Sequence, residues 1–363
     1  MRILLWYWGR RGGGAQHALC LARALAKRPD VALALSVSAQ GELAEGFASV
    51  GVPCEQVSTF RGPAGFIAST FRLPAIIGAF RRQVRDFRAD VVISVMSHVW
   101  TPIVAPSIAG TGAVFVPIIH DALPHPGDPA LLWHWRLRRE LRAAGAAVVL
   151  SDAVGRVVAA EVPDLPLIRG FLGAHVTQPA APAERTADVV FFGRMRAYKG
   201  LDLLRDAWPL VLRRHPDARL RLVGEGDPDS LAPGLTTLPG VTADARWVPE
   251  AEMPGLIASA GIVVLPYREA SQSGVLPLAI AAGVPVVATR VGGLSEQMID
   301  GEGGILADVD AASLADAISR LMDPDARKDI IAAGQAAAAR LADWDAQAAD
   351  LVAGLRAIGI GRG

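Results

Sequence analysis

Cysteine is scarce in this sequence: 363 residues include two, Cys20 and Cys54. They allow one bridge at most and lack the spacing of metal ligands, so a disulfide scaffold and a zinc site are both disfavoured. Lysine is rare beside arginine, with Lys27, Lys199 and Lys328 the three lysines among 36 cationic residues. A lysine inside a motif is therefore informative. Long apolar runs are missing as well: stretches such as Ile3 to Tyr7 and Val284 to Ala288 break within about ten residues, short of the ~20 that a bilayer-spanning helix needs. Gly9, Arg10 and Arg11 follow the first apolar stretch directly, which is not the order of a charged leader, an apolar segment and a cleavage site, so a cytoplasmic protein is expected. Net charge is zero, and without a basic excess no nucleic-acid partner is expected.

That zero hides an asymmetry. Residues 1–172 hold 18 Lys/Arg against 12 Asp/Glu, and the rest hold 18 against 24, giving +6 and −6. A basic first half can meet an anionic lipid surface.

What is abundant is apolar: 52% of residues are hydrophobic and 20% charged, a balance that buries a core and excludes bulk disorder. The length suits two domains. Apolar, β-branched stretches at Arg2 to Tyr7, Val31 to Val37, Asp90 to Val95, Ala113 to Ile119 and Ala146 to Leu150 alternate with segments of helical period. This is the pattern of βαβ units and a parallel sheet covered on both faces. Residues 163–186, rich in Pro, Ala and Gly, read as a linker. A second series follows at Val189 to Phe192, Arg219 to Val223, Thr236 to Leu238, Ile262 to Leu265 and Val284 to Ala288. An Ala-rich helical segment at about 326–358 comes after that sheet and is expected to pack back on the first domain. The expected organisation is an N-terminal domain over 1–172, a C-terminal domain over 173–340, and a returning helix over 341–363.

Glycines and polar residues gather where strands end. Gly12, Gly13 and Gly14 follow the first strand and open a helix read as Ala18 to Ala26, a place where backbone N–H groups can face an anion, or merely a tight turn. The spacing is not Gly-x-Gly-x-x-Gly, and the second strand ends in Ser36, Ser38 and Gln40 without an acid for a ribose, so NAD is disfavoured. His120 and Asp121 close the strand Val114 to Ile119, and His98 follows Val91 to Val95; the C-terminal edge of an open α/β sheet is where ligands bind, although a histidine there can also anchor a loop.

In the second half Gly193-Arg194 turns the chain after a buried-looking strand, and Lys199-Gly200 arrives at the next helix entrance. Two cations at a glycine-marked strand end suit an anionic phosphate. Leu222-Val223-Gly224-Glu225-Gly226 repeats the device. Glu269-Ala270-Ser271-Gln272-Ser273-Gly274-Val275 has the composition of an anion nest before a short helix, with a plain serine N-cap as the alternative. Two arginine-bearing helices complete the picture. In Ala75 to Arg88, Ile76, Phe80, Val84 and Phe87 oppose Arg81, Arg82, Arg85 and Arg88; Leu131, Leu132, Trp133 and Trp135 run into Arg136, Arg138, Arg139 and Arg142. Either is a solvated face or an interfacial membrane contact.

Taken together these residues resemble glycosyltransferase family 4, retaining enzymes of the two-domain GT-B fold. The likeness is strongest over about 187–322, where Gly193-Arg194 with Lys199-Gly200, Val-Gly-Glu-Gly at 223–226, Pro266-Tyr267, Gly283 to Val287 and Gly292-Gly293-Leu294-Ser295-Glu296 occur in the family's order. The resemblance implies two Rossmann-like α/β domains facing across a cleft and transfer of a hexose from a UDP- or GDP-sugar to a glycan or lipid-linked acceptor, in cell-surface polysaccharide or glycolipid synthesis. It implies that Arg194 and Lys199 bind the donor diphosphate, that Gly12 to Gly14 lie near the reaction centre, and that His120 touches the donor sugar, with catalysis assigned to His120, Arg194 and Lys199. Donor contacts are expected at Gly193, Gly224, Glu225, Trp247, Val248, Glu269 and Ser271 to Val275, and acceptor contacts at His98 and Asp121. The family's pair of glutamates seven residues apart is altered: Glu269 is displaced and the second position, near Leu278 or Ala279, is apolar. Cations and amides can stabilise the leaving diphosphate, so no metal and no cofactor beyond the donor is expected. A peripheral place on the inner membrane surface is a further expectation. The rival readings are a nucleotide-sugar epimerase of the same architecture and a non-catalytic two-lobed sugar-binding protein.

Overall fold

Apolar runs of four to seven residues that are buried on both faces form parallel strands, because only a sheet covered by helices on each side buries both sets of alternating side chains. The computed structural model describes residues 1–124, 130–175, 187–249 and 251–361. It contains two such sheets in two compact units, one made of Met1–Phe171 with Trp344–Gly363 and the other of Leu172–Asp343.

In the first unit β1 (Arg2–Tyr7), β2 (Ala32–Ser38), β3 (Cys54–Val57), β4 (Val91–Ser94), β5 (Val114–Ile119), β6 (Ala147–Val149) and β7 (Leu167–Arg169) lie in the order β3-β2-β1-β4-β5-β6-β7. The order reverses between β1 and β4, which pair in parallel with Ile3 opposite Val91. The core on one face is aromatic: Trp6, Trp8, Phe80 and Trp100 are all buried, and Trp6 meets Phe80 at 4.8 Å between ring centroids. The arginine-bearing helix spans Leu73–Asp86 and buries Ile76, Phe80 and Val84, while Arg82, Arg85 and Arg88 are exposed and Arg81 is half-buried.

In the second unit β8 (Ala187–Phe192), β9 (Leu220–Val223), β10 (Val241–Asp244), β11 (Ala260–Leu265), β12 (Val286–Thr289) and β13 (Gly304–Ala307) form the sheet β10-β9-β8-β11-β12-β13, again parallel. This is the two-domain Rossmann-like α/β architecture.

Three local expectations are corrected. Thr236 to Leu238 is not a strand; Leu235–Thr237 is a 3-10 turn. Gly234 enters it with positive φ, Thr237 Oγ1 donates to Gly234 O at 2.8 Å, and Thr236 N donates to the Asp229 carboxylate at 3.2 Å. Local side-chain bonds of this kind outcompete a ladder, and the strand begins at Val241 instead. Within the stretch read as linker, 167–169 is β7, and 176–186 lies outside the described residues. The Ala-rich stretch is three helices, Pro324–Ala333, Gln335–Ala342 and Trp344–Ala357, and only the third belongs to the first unit. It buries Ala348, Leu351, Val352 and Leu355, and its Asp345 bridges Lys27 at 2.9 Å. No described helix is long and apolar enough to cross a membrane.

Candidate functional site

At the C-terminal edge of the second sheet, backbone proximity comes first. Gly224, with φ +145°, lies so close to Gly193 that a Cβ would sit 2.0 Å from Gly193 O. Only glycine fits there, and the two turns are locked by Gly193 N to Val223 O at 2.9 Å and Met195 N to Glu225 O at 2.8 Å. Lys199 stands over this lock. Its Nζ donates to Tyr267 Oη at 2.6 Å, lies 4.3 Å from the Tyr267 ring centroid, and would be 3.3 Å from a Cβ on Gly193. Tyr267 is buried, and its hydroxyl meets Ser273 Oγ at 3.4 Å. The lysine head is therefore placed at a glycine-lined strand end and is not a loose surface charge. Arg194 is exposed, with no ionic or hydrogen-bond partner among the described residues.

The turn before the Val275–Ala281 helix differs from the expected nest of free amides. Ser273 N donates to Gln297 Oε1 at 2.7 Å and Val275 N to Ser273 Oγ at 3.3 Å, while Gln297 Nε2 returns a bond to Ser273 O at 3.1 Å. Two of its N–H groups are thus satisfied internally, and the backbone and hydroxyl of Ser273 are engaged within the turn. Ser271, Gln272 and Gly274 stay partly exposed beside it. Glu269 and Glu225 are exposed side chains, Trp247 is half-buried and Val248 buried. Arg246, next to Trp247, is bound to Asp244 and Glu252.

The chain contains four Asp-x-Asp spacings, 227/229, 308/310, 323/325 and 343/345, which the expectation of a metal-free site did not weigh. Asp227, Asp310 and Asp323 each cap a helix by accepting from its first-turn N–H groups. Among the described residues no group of three or more His, Cys, Asp or Glu is placed to hold a metal ion.

At the C-terminal edge of the first sheet the glycine turn continues into the helix Gly13–Ala26, which starts five residues earlier than expected because Gly12, with φ +89°, makes the turn alone. Gly14 is packed against Met96: a Cβ there would be 2.7 Å from Met96 Sδ. His120 is half-buried, and its Nε2 lies 2.9 Å from Val95 O. A carbonyl only accepts, so Nε2 carries the proton and Nδ1 is the acceptor nitrogen. Burial holds the imidazole below its usual range, against the opposing effects of Asp121 and the Val95 bond, and it is neutral near pH 7. His17 packs edge-on against it at 5.2 Å.

His98 has a different environment from the expected acceptor contact. It sits among Trp8, Phe60 and Trp100, its Nδ1 accepts from Trp100 N at 3.3 Å, and burial with nearby Arg136 and Arg10 pushes it down to about 3. This is a neutral histidine that anchors the loop after β4.

A cavity of about 230 Å³ opens beside His120 and Asp121, roofed by the helix Ala130–Ala143. It contains a residue that motif reading missed. Glu140 is 2% exposed, and burial pushes its carboxyl up to about 7, against the lowering effects of Ser97 and Arg136. Ser97 Oγ donates to Glu140 Oε1 and accepts from Arg136 Nη2 at 3.0 Å. One signal was available: Glu140 is the sole acid of this helix and shares a face with the buried Leu137 and Leu141. The same helix leaves Leu131, Leu132 and Trp135 exposed, and Arg138 is paired with Glu161 at 2.6 Å.

With this geometry in view, the similarities to known proteins are specific. Residues 11–166 match the family described as Glycosyltransferase Family 4, and residues 186–324 match Glycosyl transferases group 1. Together these matches take in well over half of the chain. The protein belongs to glycosyltransferase family 4. Over 181 residues, 45% of the chain and 40% of the relative, it is 36% identical to a D-inositol 3-phosphate glycosyltransferase of Nocardioides. Over 172 residues, 45% of each, it is 35% identical to a phosphatidyl-myo-inositol mannosyltransferase of Mycobacterium tuberculosis. The chain thus spans under half the length of these relatives. Among solved structures, Anabaena HepE in complex with UDP and glucose superposes with a TM-score of 0.75 at 19% identity, covering 98% of this family 4 chain and 100% of its own. A sucrose-phosphate synthase from Thermosynechococcus elongatus gives 0.75 at 19%, covering 99% of each. At such identities these two attest the GT-B fold alone.

Proposed function

We propose that this family 4 protein is a retaining glycosyltransferase that moves a hexosyl group from a UDP- or GDP-sugar to a hydroxyl of a glycan or lipid-linked acceptor. The observation that carries the reading is the Lys199 ammonium, held by Tyr267 over the Gly193–Gly224 contact at a strand end, with Arg194 exposed nearby. In the reaction the bond from the anomeric carbon to the diphosphate breaks and a bond to the acceptor oxygen forms on the same face. The acceptor proton leaves with the diphosphate. Negative charge grows on the departing oxygen as the sugar becomes oxocarbenium-like, so a fixed ammonium and a guanidinium lower the barrier by meeting that charge. His120, neutral with Nδ1 as acceptor, suits a sugar hydroxyl. The UDP named with the Anabaena neighbour supports the uridine donor, and the lipid named in the mycobacterial relative supports a lipid-linked acceptor.

Incubation with UDP- and GDP-sugars, with and without acceptor, tests the reading, with the anomeric configuration of the product assigned by NMR. Transfer with retention is expected. Inversion would sink the stereochemical part, and an altered free sugar released without acceptor would favour an epimerase.

A further inference from the structure

The cavity roofed by Ala130–Ala143 is a binding site with its own chemistry. Five residues give it apolar walls, Met96, Ile118, Ile119, Trp133 and Leu137, and five bring polar groups to it, Ser97, His120, Asp121, Arg136 and Glu140. Its volume of about 230 Å³ matches a single six-membered ring with its hydroxyls, not an oligosaccharide. We propose that it receives the reacting end of the acceptor, and that this end is an uncharged sugar or cyclitol ring and not its phosphate ester. The proposal rests on the transferase reading and adds the acceptor class to it.

Position is the first argument. His120 lines the cavity, and Met96 forms its wall while touching the glycine turn at Gly14. An acceptor hydroxyl seated here lies beside the residues assigned to the donor sugar.

Charge is the second. Among the lining residues stand one guanidinium, Arg136, and two carboxyl groups, Asp121 and Glu140, while His120 and the nearby His98 are neutral. A phosphate monoester would bring up to two further negative charges into a site that already balances or exceeds its single cation, in surroundings of low dielectric. A neutral polyol makes no such demand.

Hydrogen-bond capacity is the third. Glu140 and Ser97 are acceptors for ring hydroxyls, and Arg136 Nε is buried with no acceptor among the described residues. A buried donor lacking a partner is costly, and a hydroxyl oxygen satisfies it. A nearly inaccessible carboxyl on the inward face of an otherwise arginine-rich helix is expensive to keep, which is typical of a binding group. The indole of Trp133 supplies a flat surface for the C–H face of the ring.

The test is ligand binding to the full chain by saturation-transfer NMR and calorimetry. The probes are glucose, mannose and myo-inositol beside glucose 6-phosphate, mannose 6-phosphate and myo-inositol 1-phosphate. At least one neutral probe is expected to bind at least tenfold more tightly than its phosphate ester. Ser97→Ala, at an exposed loop position, and Glu140→Gln should each weaken that binding at least fivefold. A phosphate ester binding as tightly as its parent, unchanged affinity in both variants, or no binding by any probe overturns the proposal. A thermal shift with UDP or GDP is read in parallel. A nucleotide shift with no polyol binding removes this proposal alone, whereas no nucleotide shift removes the transferase reading beneath it.

Discussion

The two sheet edges solve opposite electrostatic problems. In the second unit the edge is built to keep a charge available: Lys199 is fixed by a buried tyrosine and placed over backbone that only glycine permits. In the first unit the edge is built to suppress charge: His98 and His120 are held neutral by burial, and Glu140 is shifted toward neutrality. A fixed cation suits a leaving anion, and neutral donors and acceptors suit hydroxyls. One fold can therefore present opposite electrostatic environments by changing what stands at the strand ends.

The contrast breaks most severely at Gly224. Gly224→Ala is expected to cost about 3 kcal/mol or more, because the methyl meets Gly193 O and the positive φ disfavours any side chain. Denaturant melts would record it, and a variant within 1 kcal/mol of wild type would mean that the two turns separate easily.

Next in size is the pH dependence of the first edge. Glu140 titrates near 7 when folded and near 4.5 when unfolded. Between those values the folded state holds the extra proton, so this contribution is complete below the lower value and is lost as pH rises through 7, up to about 3 kcal/mol. His98 works the other way: its folded value is low, so its contribution is present above about 6.5 and lost as pH falls toward 3. Relative to wild type, Glu140→Gln should gain stability from pH 5 to pH 8. Parallel curves in thermal melts would place Glu140 in a wetter site than the structure gives it.

Lys199→Ala should lower donor turnover by about 10- to 150-fold, the worth of a charge-assisted contact of roughly 1.5–3 kcal/mol. Tyr267→Phe should fall short of that, since the ammonium stays and only its fixing bond is lost. Equal losses in the two variants would make the tyrosine, not the lysine, the group that matters. The smallest effect tests the expected contact with an anionic membrane surface. Each exposed arginine near an anionic surface is worth about 1 kcal/mol at low salt, so Arg85→Gln should reduce sedimentation with anionic vesicles about fivefold and leave neutral vesicles unaffected. Equal recovery with both lipids would leave these arginines an ordinary solvated face.

How much of this was legible in the sequence follows burial. Central strands such as β1, β5 and β11 are continuous apolar runs and could be read directly. Edge or short strands such as β3 (Cys54–Val57), β10 (Val241–Asp244) and β13 (Gly304–Ala307) carry too little pattern to stand out. At the candidate sites the same division holds. Glycine turns and strand-end polar residues are local and were visible. Pairings across the fold were not: Ser97 with Glu140 lies 43 residues apart, Lys199 with Tyr267 68, and Ser273 with Gln297 24. No local pattern encodes such a pairing, because it exists only once the strands are placed side by side.

The helix Trp344–Ala357 also fixes an order of events during synthesis. It packs in the first unit, with Gly354 tight against Ile168 and Trp344 beside His17, yet the whole of Leu172–Asp343 precedes it on the ribosome. At about 5–20 residues per second that delay is roughly 9–34 s. For that time the surface meant for Leu351, Val352 and Leu355 stays uncovered, and the unit that is translated first is completed last.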